Sequence, residues 1–250
     1  MADFDNRALS GRSRVADGAI DQGLRAYMLR VYNYMFVGLV LTGLAAKLTS
    51  AAAVIETGHG FILTQFGRVL YTSPLAFVVM LAPLGFLLVL SFGLQRMSAV
   101  TAQIVFWTYA AITGVSLSVI FLVYTGASIA QVFFITAAAF GALSLWGYTT
   151  KTDLTAMGSF LIMGVFGLFI AMLVNLFLQS ALITWVTSIA GVGIFAGLTA
   201  YDTQYIKNLY YEGDDGTAAT RKAISGALYL YLDFLNMFLF LLRLVGVSRR

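Results

Sequence analysis

The sequence contains no cysteine and a single histidine, His59, so several kinds of chemistry are excluded at the outset. Without cysteine the chain cannot form disulfides, zinc–thiolate sites or iron–sulfur sites. One histidine cannot supply a two-histidine metal site or both axial ligands of a haem. The sequence also lacks a phosphate-binding loop and a dinucleotide fingerprint. We therefore expect a protein without a resident cofactor.

Charged residues are scarce as well: they make up 10% of the 250 residues, whereas 60% are hydrophobic. An average soluble domain has roughly 25% charged residues, and a soluble fold of this size cannot bury so much apolar surface. The composition therefore predicts an integral membrane protein in contact with the lipid bilayer. The net charge of +4 is read as a signal of membrane topology, and no nucleic-acid partner is expected.

Long stretches without a charged residue indicate the number of membrane spans. Arg68 and Arg96 enclose 27 uncharged residues, and 54 separate Arg96 from Lys151. A further 48 separate Asp153 from Asp202. A membrane helix needs about 20 apolar residues, so the first gap holds one span and the two longer gaps hold two each. With one more span at either end, the sequence predicts seven helices, at about 31–53, 74–95, 100–123, 129–149, 155–178, 182–208 and 221–245.

The predicted fold class is all-α, with a seven-helix transmembrane domain over residues 31–250. Residues 1–30 form a polar segment with five arginines and no apolar signal-peptide run. Within it Ile20, Leu24, Tyr27 and Met28 lie at helical spacing, which predicts an amphipathic helix over 16–30 at the membrane surface. The alternative is a tail that is disordered throughout.

The positions of lysine and arginine predict the orientation. One side of the predicted topology collects ten basic residues, namely the five arginines of the N-terminal segment with Arg96, Lys151, Lys207, Arg221 and Lys222. This side should face the cytoplasm, so the N-terminus is predicted to be cytoplasmic in a multi-pass protein. Seven spans place the C-terminus outside, whereas a re-entrant last segment would return it to the cytoplasm.

Two aspartates lie at membrane depth, where ionisable side chains are costly and tend to be functional. Asp202 ends the sixth predicted span, and Asp233 lies within the seventh. If the sixth helix continues to about Glu212 and Thr220 caps the seventh, the two depths differ by only about 4–5 Å. A start at residue 217 would roughly double the difference. Antiparallel neighbouring helices could therefore bring the two carboxyl groups together.

Such a pair could not carry two full negative charges in a medium of low dielectric constant, so it would titrate as a unit. It would share a proton when closed and separate when both carboxyls ionise, which describes a pH-dependent latch. Two carboxylates also offer hard oxygen ligands to a cation such as calcium, although calcium takes six to eight oxygens. The alternative is that each aspartate only accepts hydrogen bonds from neighbouring side chains.

Four further residues are candidates for supporting this site. Asn236 lies three residues from Asp233, and Thr199 lies three from Asp202, so each shares its aspartate's helix face and could add a ligand. Arg96 and Arg243 are the candidate cationic partners. For Arg96 the alternative is an anchor at the membrane interface.

Two stretches carry a resemblance to a known family. Residues 195–207, Phe-Ala-Gly-Leu-Thr-Ala-Tyr-Asp-Thr-Gln-Tyr-Ile-Lys, contain Asp202, and residues 231–239, Tyr-Leu-Asp-Phe-Leu-Asn-Met-Phe-Leu, contain Asp233. Both resemble the signature of the transmembrane Bax inhibitor motif family. Residues 147–154 look like its bacterial YccA-like branch. The resemblance covers nearly everything after residue 25.

The resemblance implies a seven-helix bundle with a central last helix, in a bacterial inner membrane. It implies a pH-sensitive calcium leak in which Asp202 and Asp233 are the sensor and the candidate calcium ligands, together with an arginine that interacts with them. It also implies an alternative, because bacterial relatives bind and restrain a membrane-bound AAA protease, for which the N-terminal tail is a candidate contact. The direction of pH gating stays open.

Neither role is enzymatic, but paired aspartates also suggest an intramembrane aspartyl protease as a third hypothesis. Such proteases carry Gly-x-Gly-Asp at the second aspartate. Here Leu230-Tyr231-Leu232 precedes Asp233 and no Pro-Ala-Leu follows it, so the small residues that admit a substrate backbone are missing. We therefore expect no enzyme activity.

Overall fold

A computed structural model describes the backbone of residues 2–57 and 60–249 and the side chains of residues 22–55 and 61–249. Within these residues the chain is almost entirely helical, with one antiparallel two-stranded hairpin. The elements are α1 Ala2–Ala53, β1 Val54–Thr57, β2 Gly60–Leu63, α2 Gln65–Thr72, α3 Leu75–Gly93, a 3₁₀ turn Leu94–Arg96, α4 Ala99–Leu117, α5 Ile120–Val123, α6 Gly126–Thr149, α7 Thr155–Leu178, α8 Ala181–Asn208 and α9 Gly216–Val245.

Seven segments are long and apolar enough to cross a membrane, which confirms the predicted all-α bundle. They are Gln22–Ala53, Leu75–Arg96, Ala99–Val123, Gly126–Thr149, Thr155–Leu178, Ala181–Asn208 and Gly216–Val245. The predicted spans agree with these within one to three residues at most boundaries. The larger differences are at the N-terminal ends of the first and last spans, which begin earlier than predicted.

The last helix, α9, lies at the centre of the bundle, as the family resemblance implies. It packs against α1, α4, α6 and α8, and its residues Ile224, Ala227, Leu230 and Tyr231 are fully buried. By contrast, α3 and α7 expose most of their apolar side chains. A bilayer solvates such side chains, so these two helices form part of the lipid-facing surface.

The first span begins earlier than the sequence predicted because residues 22–30 pack into the bundle. Tyr27 and Met28 are buried, and the Tyr27 ring lies 5.7 Å from the Tyr210 ring in the loop before α9. This part of the predicted surface helix therefore continues α1 and faces protein. Ile20 lies outside the described side chains, and the surface position of the preceding tail stays a prediction.

The connection between the first two spans has structure that the sequence analysis did not predict. Residues 54–72 form the hairpin and the short helix α2, whose Thr64 side chain accepts a hydrogen bond from Gly67 N. Tyr71 shares a 2.7 Å hydrogen bond with Ser118, at the break between α4 and α5. This segment packs one end of the bundle together.

The 30-residue helix α9 continues without interruption to Val245, on the opposite side of the bundle from its N-terminus. Beyond it, Thr125 N donates to Val247 O over 3.0 Å, and Val247 N donates to Ser128 Oγ over 2.9 Å. The chain after α9 is thus held beside the start of α6. Helix α9 is therefore long and apolar enough to cross a membrane completely, which favours a full crossing over a re-entrant last segment.

Candidate functional site

The two aspartates lie on the facing surfaces of α8 and α9. Gly226, Asp233 and Phe240 recur every seven residues along α9, a spacing that keeps them on one helix face. A Cβ on Gly226 would lie 2.9 Å from Ile206, and a Cβ on Gly191 would lie 2.5 Å from Phe240. These close approaches at both ends of the stripe fix the antiparallel register of the two helices.

In this register Asp233 lies about one helical turn farther than Asp202 from the loop that joins α8 and α9. Side chains on a helix lean towards its N-terminus. Because α8 and α9 are antiparallel, Asp202 leans deeper into the bundle while Asp233 leans back towards the loop. The two carboxyl groups are thereby brought close enough to interact.

The register corrects the helix ends assumed from the sequence. Helix α8 stops at Asn208 rather than near Glu212, and α9 begins at Gly216, where Asp215 supplies the cap by accepting from Ala218 N over 2.6 Å. Thr220, predicted as the cap, instead donates to the Gly216 carbonyl. The aspartates still meet because the first two turns of α9 extend past the end of α8.

Asp233 is buried, with 3% of its surface exposed, whereas Asp202 is partly exposed. Asp233 Oδ2 receives no hydrogen bond from any N–H or O–H group in the described part of the chain. Two ionised carboxylates cannot hydrogen-bond to each other. One shared proton would therefore stabilise a contact between the two carboxyl groups at this depth.

Three tyrosines lie around the exposed side of Asp202. The Tyr201 and Tyr205 rings stack at 6.2 Å, and the Tyr229 ring packs edge-on against Tyr205 at the same distance. The more accessible member of the pair thus lies near an aromatic cluster, while Asp233 is buried in the bundle.

The predicted supporting residues Thr199 and Asn236 are bonded to their own helices. The buried Thr199 hydroxyl donates to Phe195 O over 2.8 Å, and Asn236 Nδ2 donates to Leu232 O over 2.8 Å. Within the described residues no cluster of three or more His, Asp or Glu side chains forms a metal site.

The predicted cationic partners lie far from the pair. Arg243 is ten residues, or about 15 Å, along α9 from Asp233, with its guanidinium over the Phe240 ring and near Met172 Sδ. Arg96 is exposed at the end of the second span, next to Gln95, whose carbonyl accepts from Arg221. Among the described side chains one ion pair is present, between Lys222 Nζ and Asp214 Oδ2 at 2.7 Å.

A chain of buried hydroxyl groups next to the site was not predicted. Thr203 donates to Thr199 O over 2.7 Å, so the Ser144 hydroxyl donates to Thr203 over 2.9 Å, and Tyr32 in turn donates to Ser144 over 2.7 Å. This chain connects α1, α6 and α8 and ends one residue from Asp202. Thr203 belongs to the stretch that contains Asp202, but no sequence signal pairs it with Tyr32 or Ser144.

Asp153 lies outside the spans, just before α7. Its carboxylate accepts hydrogen bonds from the Thr155 hydroxyl over 2.6 Å and from Thr155 N over 2.9 Å. These bonds stabilise the ionised form and lower the pKa of Asp153. Asp153 therefore stays charged at neutral and mildly acidic pH.

Known proteins resemble this chain over most of its length. The family model described as "Inhibitor of apoptosis-promoting Bax1" matches residues 24–250. Protein RP147 of Rickettsia prowazekii is 49% identical over 92% of both chains. Inner membrane protein YbhL of Escherichia coli K12 is 44% identical over 91% of this chain and 94% of its own. Membrane protein SpyM3_0260 of Streptococcus pyogenes serotype M3 is 30% identical over 90% of this chain and 94% of its own.

Proposed function

Because the chain belongs to the Bax inhibitor family, we propose that it is a pH-sensitive leak for calcium in a bacterial inner membrane, gated by the Asp202–Asp233 pair. The observation that carries the proposal is the contact between two carboxyl groups, one of them buried, on the facing stripes of α8 and the central helix α9. Ionisable groups at this depth are costly and mark ion and proton pathways.

The arrangement suggests how the pair would gate. With one shared proton the carboxyls hold α8 and α9 together, and the bundle is closed. Loss of that proton at higher pH leaves two negative charges in contact, which repel strongly in a medium of low dielectric constant. Separation of the two helices would relieve the repulsion and open oxygen ligands to a cation. We therefore expect the flux to increase with pH.

Calcium flux into proteoliposomes between pH 5 and 8 tests the proposal. The variants are Asp202→Asn and Asp233→Asn, which keep the side-chain shape and remove the titration of the pair. The matched control is Asp153→Asn, which removes a carboxylate outside the spans that is ionised over the whole range. We expect a pH-dependent flux in the wild type and the control, and a pH-independent flux in both site variants.

Three outcomes would refute this mechanism. One is the absence of flux at every pH from folded wild-type protein. Another is a wild-type pH profile that survives both substitutions, since the titrating group would then lie elsewhere. A profile altered equally by Asp153→Asn would assign the effect to general surface charge.

The close packing around Asp233 favours a second candidate, a non-conducting regulator that binds and restrains a membrane-bound AAA protease. In that case the aspartates would stabilise the bundle, and the polar segment before the first span would bind the protease. Removal of residues 1–21 tests this, because Gln22 begins the described span and the Tyr27–Tyr210 contact is kept. The regulator predicts that the protease co-purifies with the full chain and is lost from the truncated one.

A further inference from the structure

A lateral groove of about 640 Å³ runs between α1 and α6. Both helices pack against α8 and α9, which form the bundle behind the groove. Met28 and Leu29 line it on α1, and Phe140 and Leu145 line it on α6. Its volume lies within the roughly 300–1,000 Å³ that is typical of small-molecule sites.

The walls of the groove match a hydrocarbon chain. The groove opens between two membrane spans, and Leu29 and Leu145 at its rim are 52% and 64% exposed. The polar atoms that also line it, on Tyr32 and Ser144, hydrogen-bond to each other. They therefore do not require water or a polar ligand, and an acyl chain could lie over them without leaving a polar group unpaired.

One end of the groove is basic. Arg25 lines it, one turn inside the start of the first span, opposite Tyr148. Lys207 lies next to this end, because its Nζ donates to Tyr148 O over 2.9 Å and lies 5.1 Å from the Tyr148 ring centroid. Among the described residues no carboxylate forms an ion pair with Arg25. An amphipath with an anionic head at this end would complement both the charge and the apolar walls.

We propose that the α1–α6 groove binds one anionic phospholipid, with an acyl chain along Met28, Leu29, Phe140 and Leu145 and its phosphate at Arg25. Basic pockets between membrane helices are suited to anionic headgroups. The occupant contacts Ser144, the middle member of the hydroxyl chain that reaches α8 beside Asp202. This binding site is separate from the carboxyl pair and does not depend on ion flux.

Two variants test the groove and its charged end separately. Arg25→Gln removes the charge, and its control is Arg30→Gln, an exposed arginine on the same helix that does not line the groove. Gly141→Leu fills the groove, because a Cβ at Gly141 has no heavy atom within 4 Å. Its control is Gly193→Leu, at a glycine of another span whose Cβ would be equally unobstructed.

The probe is an equimolar mixture of phosphatidylglycerol and phosphatidylcholine in mild detergent, and native mass spectrometry counts the lipid retained per chain. We expect the wild type to retain one phosphatidylglycerol in preference to phosphatidylcholine. Arg25→Gln should reduce that preference about fivefold. Gly141→Leu should lose both lipids, and the two control variants should behave as the wild type.

Three results would overturn the proposal. Wild-type retention no greater than that of Gly141→Leu would show that the groove holds no lipid. An equal loss of preference in Arg30→Gln would assign the effect to general surface charge. A protein dimer that Gly141→Leu dissociates, with no lipid retained, would show that a second copy of the chain covers the groove.

Discussion

At the scale of single residues, the feature that distinguishes this bundle is the approach of two carboxyl groups, one of them buried. Asp233 is buried, and its Oδ2 receives no hydrogen bond from the described donors. An isolated buried carboxylate is costly, and a second carboxylate beside it increases that cost. We therefore expect the folded pair to hold a proton, whichever function the protein has.

This proton gives the stability of the protein a pH dependence with a definite sign. In the unfolded chain, separated aspartates release their protons near pH 4, whereas the folded pair is expected to keep one because burial disfavours the charged form. The folded state thus binds more protons above that pH, so the free energy of unfolding falls as the pH rises. We predict that the melting temperature of the detergent-solubilised wild type decreases from pH 5 to pH 9.

The Asp233→Asn variant supplies the comparison. Its amide can donate to Asp202 without a titrating proton, so its melting temperature should change much less over the same range. Asp153→Asn should follow the wild type, because Asp153 stays ionised throughout. Equal slopes for wild type and Asp233→Asn would show that the pair holds no proton of structural importance.

The sequence predicted Asp202 and Asp233 but not their polar surroundings. Charged residues within apolar stretches are visible in any membrane sequence, and here the cost of burying them indicates a site. The contacts of Thr203, Ser144 and Tyr32 are not visible, because residues on three different helices meet only once the bundle is packed. Arg96 illustrates the same limit, since a basic residue at a span end gives no information about its neighbours.

At the scale of elements, close backbone approaches set the register on which the site depends. Gly147 of α6 lies directly against Ala200 of α8: a Cβ there would meet the Ala200 carbonyl oxygen and lie 2.8 Å from its Cα. Backbone atoms cannot move aside as a flexible side chain can. This contact holds α6 and α8 close enough for Ser144 to reach Thr203.

Replacing this glycine should therefore separate the two helices. We predict that Gly147→Ala destabilises the protein by about 1–3 kcal/mol through overpacking, measured as a lowered melting temperature. The matched control is Gly141→Ala on the same helix, where a Cβ meets nothing within 4 Å and the lower backbone entropy of alanine stabilises by roughly 0.5–1 kcal/mol. If the two substitutions had the same effect, helix propensity rather than close packing would decide the outcome.

The ends of helices were harder to predict than their existence. Counting residues from assumed ends at Glu212 and Thr220 gave similar depths for the two aspartates, yet both ends were wrong. The pair meets because packing at Gly226 and Gly191 fixes the register, and because the side chains of antiparallel helices lean towards each other. The hairpin and α2 at 54–72 were missed because such short elements lack the long apolar run that identifies a span.

At the scale of the whole molecule, the two ends of the bundle differ in charge. Among the described side chains, the end that holds the α8–α9 loop carries Arg25, Arg30, Arg96, Lys151, Lys207, Arg221 and Lys222. The opposite end carries Lys47, Arg68, Arg243 and Arg249. Because short cytoplasmic loops are enriched in lysine and arginine, we propose that the α8–α9 loop and the N-terminus face the cytoplasm.

The absence of cysteine makes this orientation directly testable. Single cysteines at Gln65, Glu212 and Val247 introduce thiols at exposed positions. Five spans separate the first position from the second, and one separates the second from the third. We predict that a membrane-impermeant maleimide labels Gln65→Cys and Val247→Cys from the outside of spheroplasts, and labels Glu212→Cys only after lysis.

The three positions together distinguish orientation from topology. If Glu212→Cys alone were labelled from outside, the protein would have the opposite orientation but still seven crossings. Only the inference from charge would then be wrong. If Val247→Cys were protected together with Glu212→Cys, α9 would turn back within the membrane and end on the side where it begins. The prediction of a full crossing would then be wrong. In that case Asp233 would no longer lie on a helix that spans the bilayer, and the aspartate pair could not separate the two aqueous sides as a gate must.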